Sequence, residues 1–339
     1  MNSLSSNSEN ELLFEFSDSR NVLVNGYFTK YGASSFPSKS LSFCLSSATA
    51  TSVTKEQIEY LNENIDTKWR DIRYDLKKYL NLEDDIEIIF GPSGTDIEIL
   101  ASLIAIARAP KRKLLNIICL PDEVGSGTAN ASCLKHFSEK LNDDGRAVPG
   151  TPLRGFHSVK IDAKVINPAS TQIEDYTKAE CELMREVEEG VKRNENILVH
   201  QVYSSKTGLI FPSPKAIDSL QKLYGDSITI VVDACQFRVS PLTISKWLNL
   251  NRIVLTTGSK FYEGITFSGI LLAKTHQLKK LDKIIGIISE SELDKYFTNS
   301  MFPSFLNILP QCNEVNRCDG LRLRVKSFLY WLEKYSGLI

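Results

Sequence analysis

Two neighbouring stretches decide the fold: ITIVVDACQF at residues 228–237 and RIVLTTGSK at residues 252–260. Each begins as a short, unbroken apolar run and ends abruptly in polar residues. A continuous apolar run of this length is a strand buried on both faces, because an amphipathic strand alternates instead. Further apolar runs flank them at IEIIF (86–90), LLNIICL (114–120), ILVHQVY (197–203) and SGILLA (268–273), and SVKIDAKVI (158–166) reads as one more strand.

Helical periodicity fills the gaps. Ile58, Leu61, Ile65, Trp69, Ile72, Leu76 and Leu80 recur at spacings of three and four, which predicts one helix over 54–80. Thr95 to about Ala109, 178–193 and 214–224 also read as helices. Strands alternating with helices predict a three-layer α/β/α domain with a mostly parallel sheet. In such sheets ligands bind at the carboxyl ends of the strands. Residues 1–50 read as an irregular arm with a frayed Ser/Asn-rich start, 51–290 as a large domain, and 291–339 as a partial C-terminal segment. The Gly-, Ser- and Asp-rich stretch 121–157 reads as a long surface excursion that carries much of the specificity.

Composition narrows the class. The chain has 339 residues, 42% hydrophobic and 24% charged, an ordinary globular balance. Forty basic and 41 acidic residues leave a net charge of −1, which argues against a nucleic-acid partner. No apolar run approaches the roughly 18 residues of a membrane span, and the start lacks a secretory pattern. Seven scattered cysteines without a CxxC read as reduced, mostly buried thiols, so the expected location is cytoplasmic. Four isolated histidines leave no basis for a metal site. P-loop and nucleophile-elbow patterns are absent.

Three constellations lie at the predicted strand ends. FGPSGTDIEIL (90–100) runs from a strand through a Gly/Ser turn into a helix, with Thr95 and Glu98 matching a capping box. Such a helix start attracts phosphate, with Ser93 and Thr95 adding hydroxyls. Taken alone it is a well-capped turn. Asp233 ends an apolar strand, where an acid needs a partner. Lys260 follows the next strand within a Thr/Ser/Gly turn, and a lysine held in a pocket forms a Schiff base with a carbonyl. Pyridoxal phosphate needs all three: a helix start for its phosphate, an acid for its ring nitrogen and a lysine for its aldehyde.

On these residues the sequence resembles the fold type I pyridoxal-phosphate enzymes, in particular the class V aminotransferase and cysteine desulfurase group. GPSGT looks like that group's phosphate turn, which assigns Ser93, Gly94 and Thr95 to the phosphate. VDACQ is similar to its Val-Asp-Ala-x-Gln, which implies Asp233 on the pyridinium nitrogen and Gln236 on the ring hydroxyl. TTGSK resembles its Ser-x-x-Lys, which implies Lys260 as the internal aldimine lysine and Thr257 on the phosphate. Ser259 stands where the group often has histidine. Asp233 and Lys260 are 27 positions apart, close to the group's usual spacing. The segment VYSSKTGLIFP (202–212) resembles a stretch with two asparagines, which makes Ser204 and Ser205 ring-contact candidates.

The sequence departs from that pattern twice. After the strand at 114–120 the group places a ring that stacks on the cofactor, whereas PDEVGSG offers none. Glu123, Val124, Ser126 or an aromatic from 127–157 are the candidates for that face. Only 79 residues follow Lys260, where the group has a longer small domain carrying a carboxylate-binding arginine. Arg238, Arg317, Arg322 and Arg324 are the substitutes, the last two on a terminal amphipathic helix that stops near Gly337. The resemblance implies an aminotransferase acting on an amino acid or related amine. A lyase or β/γ-replacement enzyme is the nearest alternative, and a catalytically degenerate relative or a plain phosphometabolite-binding protein are those of another class. It also implies a homodimer.

Overall fold

The computed structural model describes residues 23–24, 28–29, 54–141, 145–310 and 318–335. Strands β1 (Leu23–Val24) and β2 (Phe28–Thr29) form a minimal antiparallel pair. The expectations for residues 1–10, most of the arm, Cys44, Cys312, Arg317 and Gly337 lie outside the described residues.

The main sheet has seven strands: β3 (Ile86–Gly91), β4 (Leu114–Cys119), β5 (Ile161–Ile166), β6 (Asn196–Val202), β7 (Ile228–Asp233), β8 (Ile253–Thr257) and β9 (Gly269–Lys274). Their order is β3-β9-β8-β7-β6-β4-β5. The pairings from β5 through β8 are parallel. Strand β9 is antiparallel to both β8 and β3. The 11 residues between β8 and β9 are too few for the helical crossover that a parallel partner needs. Every residue of β4, β6, β7 and β8 is buried, so both faces of the central sheet are covered and the architecture is α/β in three layers.

Among the described residues the α-helices of nine residues or more are α1 (Lys55–Glu63), α2 (Trp69–Tyr79), α3 (Gly94–Arg108), α4 (Ile173–Lys192), α5 (Pro214–Tyr224), α6 (Pro241–Asn249) and α7 (Asp319–Tyr335). Helix α3 is buried from Thr95 through Ala107. An all-round buried helix of this kind sits inside a molecule rather than on it. It packs on the sheet and on residues 279–284.

The structure corrects three expectations. The helix expected over 54–80 is two, α1 and α2, parted at residues 64–68. Arg322 stitches the break, its Nη1 donating to the Ile65 carbonyl at 2.8 Å and also to that of Thr67. Helix α6 is an addition, capped by Ser240 and opened by Pro241. The 121–157 stretch is more than surface, because Leu134, Leu141, Leu153 and Phe156 are buried in the main core. That core also takes in Tyr296, Phe302, Leu321 and Phe328 from the C-terminal segment.

Candidate active site

The carboxyl ends of β7 and β8, the start of α3 and the loop after β4 enclose a cavity of about 690 Å³. Ser93, Gly94, Thr95, Asp233, Gln236, Arg238, Thr257, Ser259 and Lys260 all line it. Register explains the convergence: Val202 lies beside Asp233, and Asp233 beside Leu255, so the parallel strands finish at one level.

The turn at 93–95 begins α3, but its cap differs from the expected one. Ser93, not Thr95, is the N-cap, and its Oγ accepts from Asp96 N at 3.2 Å. The Ser93 hydroxyl in turn donates to the Asp96 carboxylate. Glu98 is therefore released from capping. It is buried on α3 with Oε2 3.3 Å from His200 Nδ1. A side chain at residue 94 would place its Cβ 2.9 Å from Cys235 Sγ and 3.1 Å from Thr257 Cγ2, so the turn closes on its neighbours only as glycine.

Asp233 is 7% exposed, and its Oδ1 accepts from Cys235 N at 3.0 Å. Burial, followed by the charge of Asp233, pushes the Cys235 thiol well above the ordinary thiol value, so it is a neutral wall of the cavity. Thr257 Oγ1 donates to the Cys235 carbonyl at 2.7 Å, which ties the ends of β7 and β8 together. Gln236 Oε1 and Ser268 Oγ are buried and have no hydrogen-bond partner among the described residues. Both residues line the cavity, so these atoms are available to hydrogen-bond a ligand or water there. Lys260 is half-buried at the cavity wall.

Helix α7 supports the lysine turn from beneath. Ile265 N donates to Ser327 Oγ at 2.8 Å, and Arg324 Nε donates to the Phe267 carbonyl at 2.9 Å. Gly258 lies so close to Phe328 that an added Cβ would stand 2.2 Å from its ring. Ser204 and Phe267, which line the same cavity, have left-handed backbone, as strained conformations do at functional sites.

Two of the proposed arginines are placed elsewhere. Arg322 pairs with Asp319 at 3.2 Å and serves the α1–α2 break, and Arg324 is fully buried against Phe267. Neither lines the cavity, whereas Arg238 does. Glu123, Val124 and Ser126 also line it, as do Ser204 and Ser205. The rings there belong to Tyr203 and Phe267, not to residues 127–157. Sequence reasoning missed Ser268, Cys235 and Lys206. The signal for Ser268 was its place at the head of an apolar strand facing the Lys260 turn.

The residues fit pyridoxal phosphate. A helix start with a glycine-only floor suits its phosphate, a buried carboxylate its ring nitrogen, and an orphaned Gln236 oxygen its ring hydroxyl. Lys260 is within the same cavity for its aldehyde.

No protein-family model and no curated protein matches the chain. Solved structures do. A histidinol-phosphate aminotransferase from Clostridium acetobutylicum matches at TM-score 0.43 and 13% identity, over 84% of this chain and 67% of that one. A serine palmitoyltransferase from Sphingomonas wittichii matches at 0.42 and 13%, over 79% and 51%. A cysteine desulfurase from Escherichia coli matches at 0.44 and 11%, over 85% and 62%. The chain thus spans between 51% and 67% of the length of these proteins. The likeness transfers no activity and no residue's role. Among the described residues no helix is long and apolar enough to cross a membrane.

Proposed function

We propose that this chain is a pyridoxal-phosphate-dependent enzyme acting on an amino acid or related amine, with transamination as its reaction. One observation carries the reading: Lys260, Asp233, Gln236 and the 93–95 turn, widely separated in sequence, line a single cavity of a size suited to a small ligand.

When bound, pyridoxal phosphate supplies an electron sink for the bond broken at the amine-bearing carbon. The chain's own residues bind and orient. The start of α3, with Ser93, Gly94 and Thr95, holds the phosphate, and Thr257 and Ser259 close around it. Asp233 keeps a proton on the ring nitrogen, and its burial keeps water from competing for that contact. Gln236 orients the ring through its hydroxyl. Lys260 Nζ would hold the aldehyde and would serve as the base for the proton on the substrate's α-carbon. Arg238 receives the substrate carboxylate.

The test is a titration with pyridoxal phosphate followed by absorbance. Wild-type protein is expected to develop a band near about 420 nm. Lys260→Ala, folded by circular dichroism, is expected to show none. An identical band in both proteins would remove Lys260 from this role.

A further inference from the structure

The cavity holds an anion that the proposed chemistry does not use. Glu123 follows β4, where the resembled enzymes place a stacking ring. Its Oε2 accepts from Ser205 Oγ at 2.5 Å, Thr207 Oγ1 at 2.8 Å and Thr207 N at 3.3 Å. Desolvation works against ionisation here, but the hydroxyls of Ser205 and Thr207, the Thr207 amide and the charge of Lys206 together outweigh it and hold the carboxyl below its ordinary value. Among the described residues no cation lies within ion-pair distance of Glu123, and the Lys206 ammonium donates to the Asp122 carbonyl. The carboxylate is therefore fixed through one oxygen, and the other has no hydrogen bond among the described residues.

Arg238 lines the same cavity and is exposed, with no hydrogen bond or ion pair among the described residues. An anion and a cation in one cleft, neither in an ion pair among the described residues, favour a ligand of matching charges. The reacting amine would occupy the Lys260 end of the cavity, so the cation for Glu123 is a further one. We infer that Glu123 selects amino-acid substrates that carry a second ammonium group. The inference rests on reading the cavity as an amine site. The competing role is mechanical: Glu123 latches the 121–126 loop to the 203–209 turn and nothing more.

Glu123→Gln separates the two, because the amide oxygen keeps an acceptor for the three donors while the charge is lost. L-ornithine and L-norvaline share a carbon chain and differ by the side-chain ammonium. Calorimetric titration of the full chain, with and without pyridoxal phosphate, compares their dissociation constants. Wild-type protein is expected to favour ornithine by about tenfold. In Glu123→Gln the preference falls below about twofold, with norvaline binding and the urea midpoint unchanged. Equal binding, absence of binding by both, or a preference that survives in the variant would overturn the inference. Covalent attachment of the cofactor to Lys260 is measured separately. An adduct with equal binding sinks the substrate inference alone, and ornithine selectivity without an adduct sinks the cofactor reading alone.

Discussion

Glu98 and His200 form a sealed pair behind the cavity, at 1% and 3% exposure. The Ser132 carbonyl can only accept, so Asn116 Nδ2 donates to it at 2.9 Å and Asn116 Oδ1 turns toward His200. His200 Nε2 therefore carries the proton of the 2.9 Å bond to Asn116. Burial pushes the Glu98 carboxyl up; His200 opposes this and Asp233 adds to it. A carboxyl raised on folding contributes stability that is full below its unfolded value and is lost as pH rises through the folded one. The wild type should therefore lose stability relative to Glu98→Gln between pH 4.5, the ordinary glutamate value, and pH 8. Urea denaturation at both pH values measures this, and a constant difference would contradict it. Gly94→Ala tests the phosphate turn. Overpacking against Cys235 and Thr257 costs about 1–3 kcal/mol, and a protein that binds pyridoxal phosphate undiminished by equilibrium dialysis would refute it. At this scale the sequence was partly legible. Asp233, Gln236 and Lys260 stand in recognisable local motifs. Ser93 and Thr95, both competent caps two residues apart, could not be ranked by pattern. The Glu123–Ser205 contact joins residues 82 positions apart and left no local trace.

Helix α7 is the element that couples the end of the described chain to the lysine turn. Phe328 packs under Gly258 and Gly264, and Ser327 and Arg324 hold the backbone of 265–267. Phe328→Ala should cost about 3–5 kcal/mol. Because the void opens beneath the Lys260 turn, it should also raise amide exchange at 258–267 more than in β6. Uniform exchange across both would show that the helix only fills space. The central strands were readable because both of their faces are buried, which makes them continuous apolar runs. The break between α1 and α2 was hidden because Ile65 and Trp69 keep the helical spacing across it, while the carbonyls it exposes are satisfied by Arg322 from far along the chain. Helix α6 did carry a local signal, Ser240-Pro241, and the short β8–β9 link likewise told of an antiparallel return.

The whole molecule places one open cavity at the strand ends, beside an exposed apolar residue. Phe261, next to Lys260, is 60% exposed. If two copies of the chain pair across the cavity mouth, Phe261 is covered, and Phe261→Asp is then expected to shift sedimentation equilibrium from dimer toward monomer. A wild-type monomer at all concentrations would refute the dimer. No pattern in the sequence speaks to this, because association depends on surfaces assembled from distant segments. Attachment of pyridoxal phosphate to Lys260 is tested by borohydride reduction of the loaded protein followed by digestion and mass mapping. One reduced adduct is expected, on the peptide containing Lys260. An adduct on Lys206 or another lysine, or none on a folded protein, would contradict it.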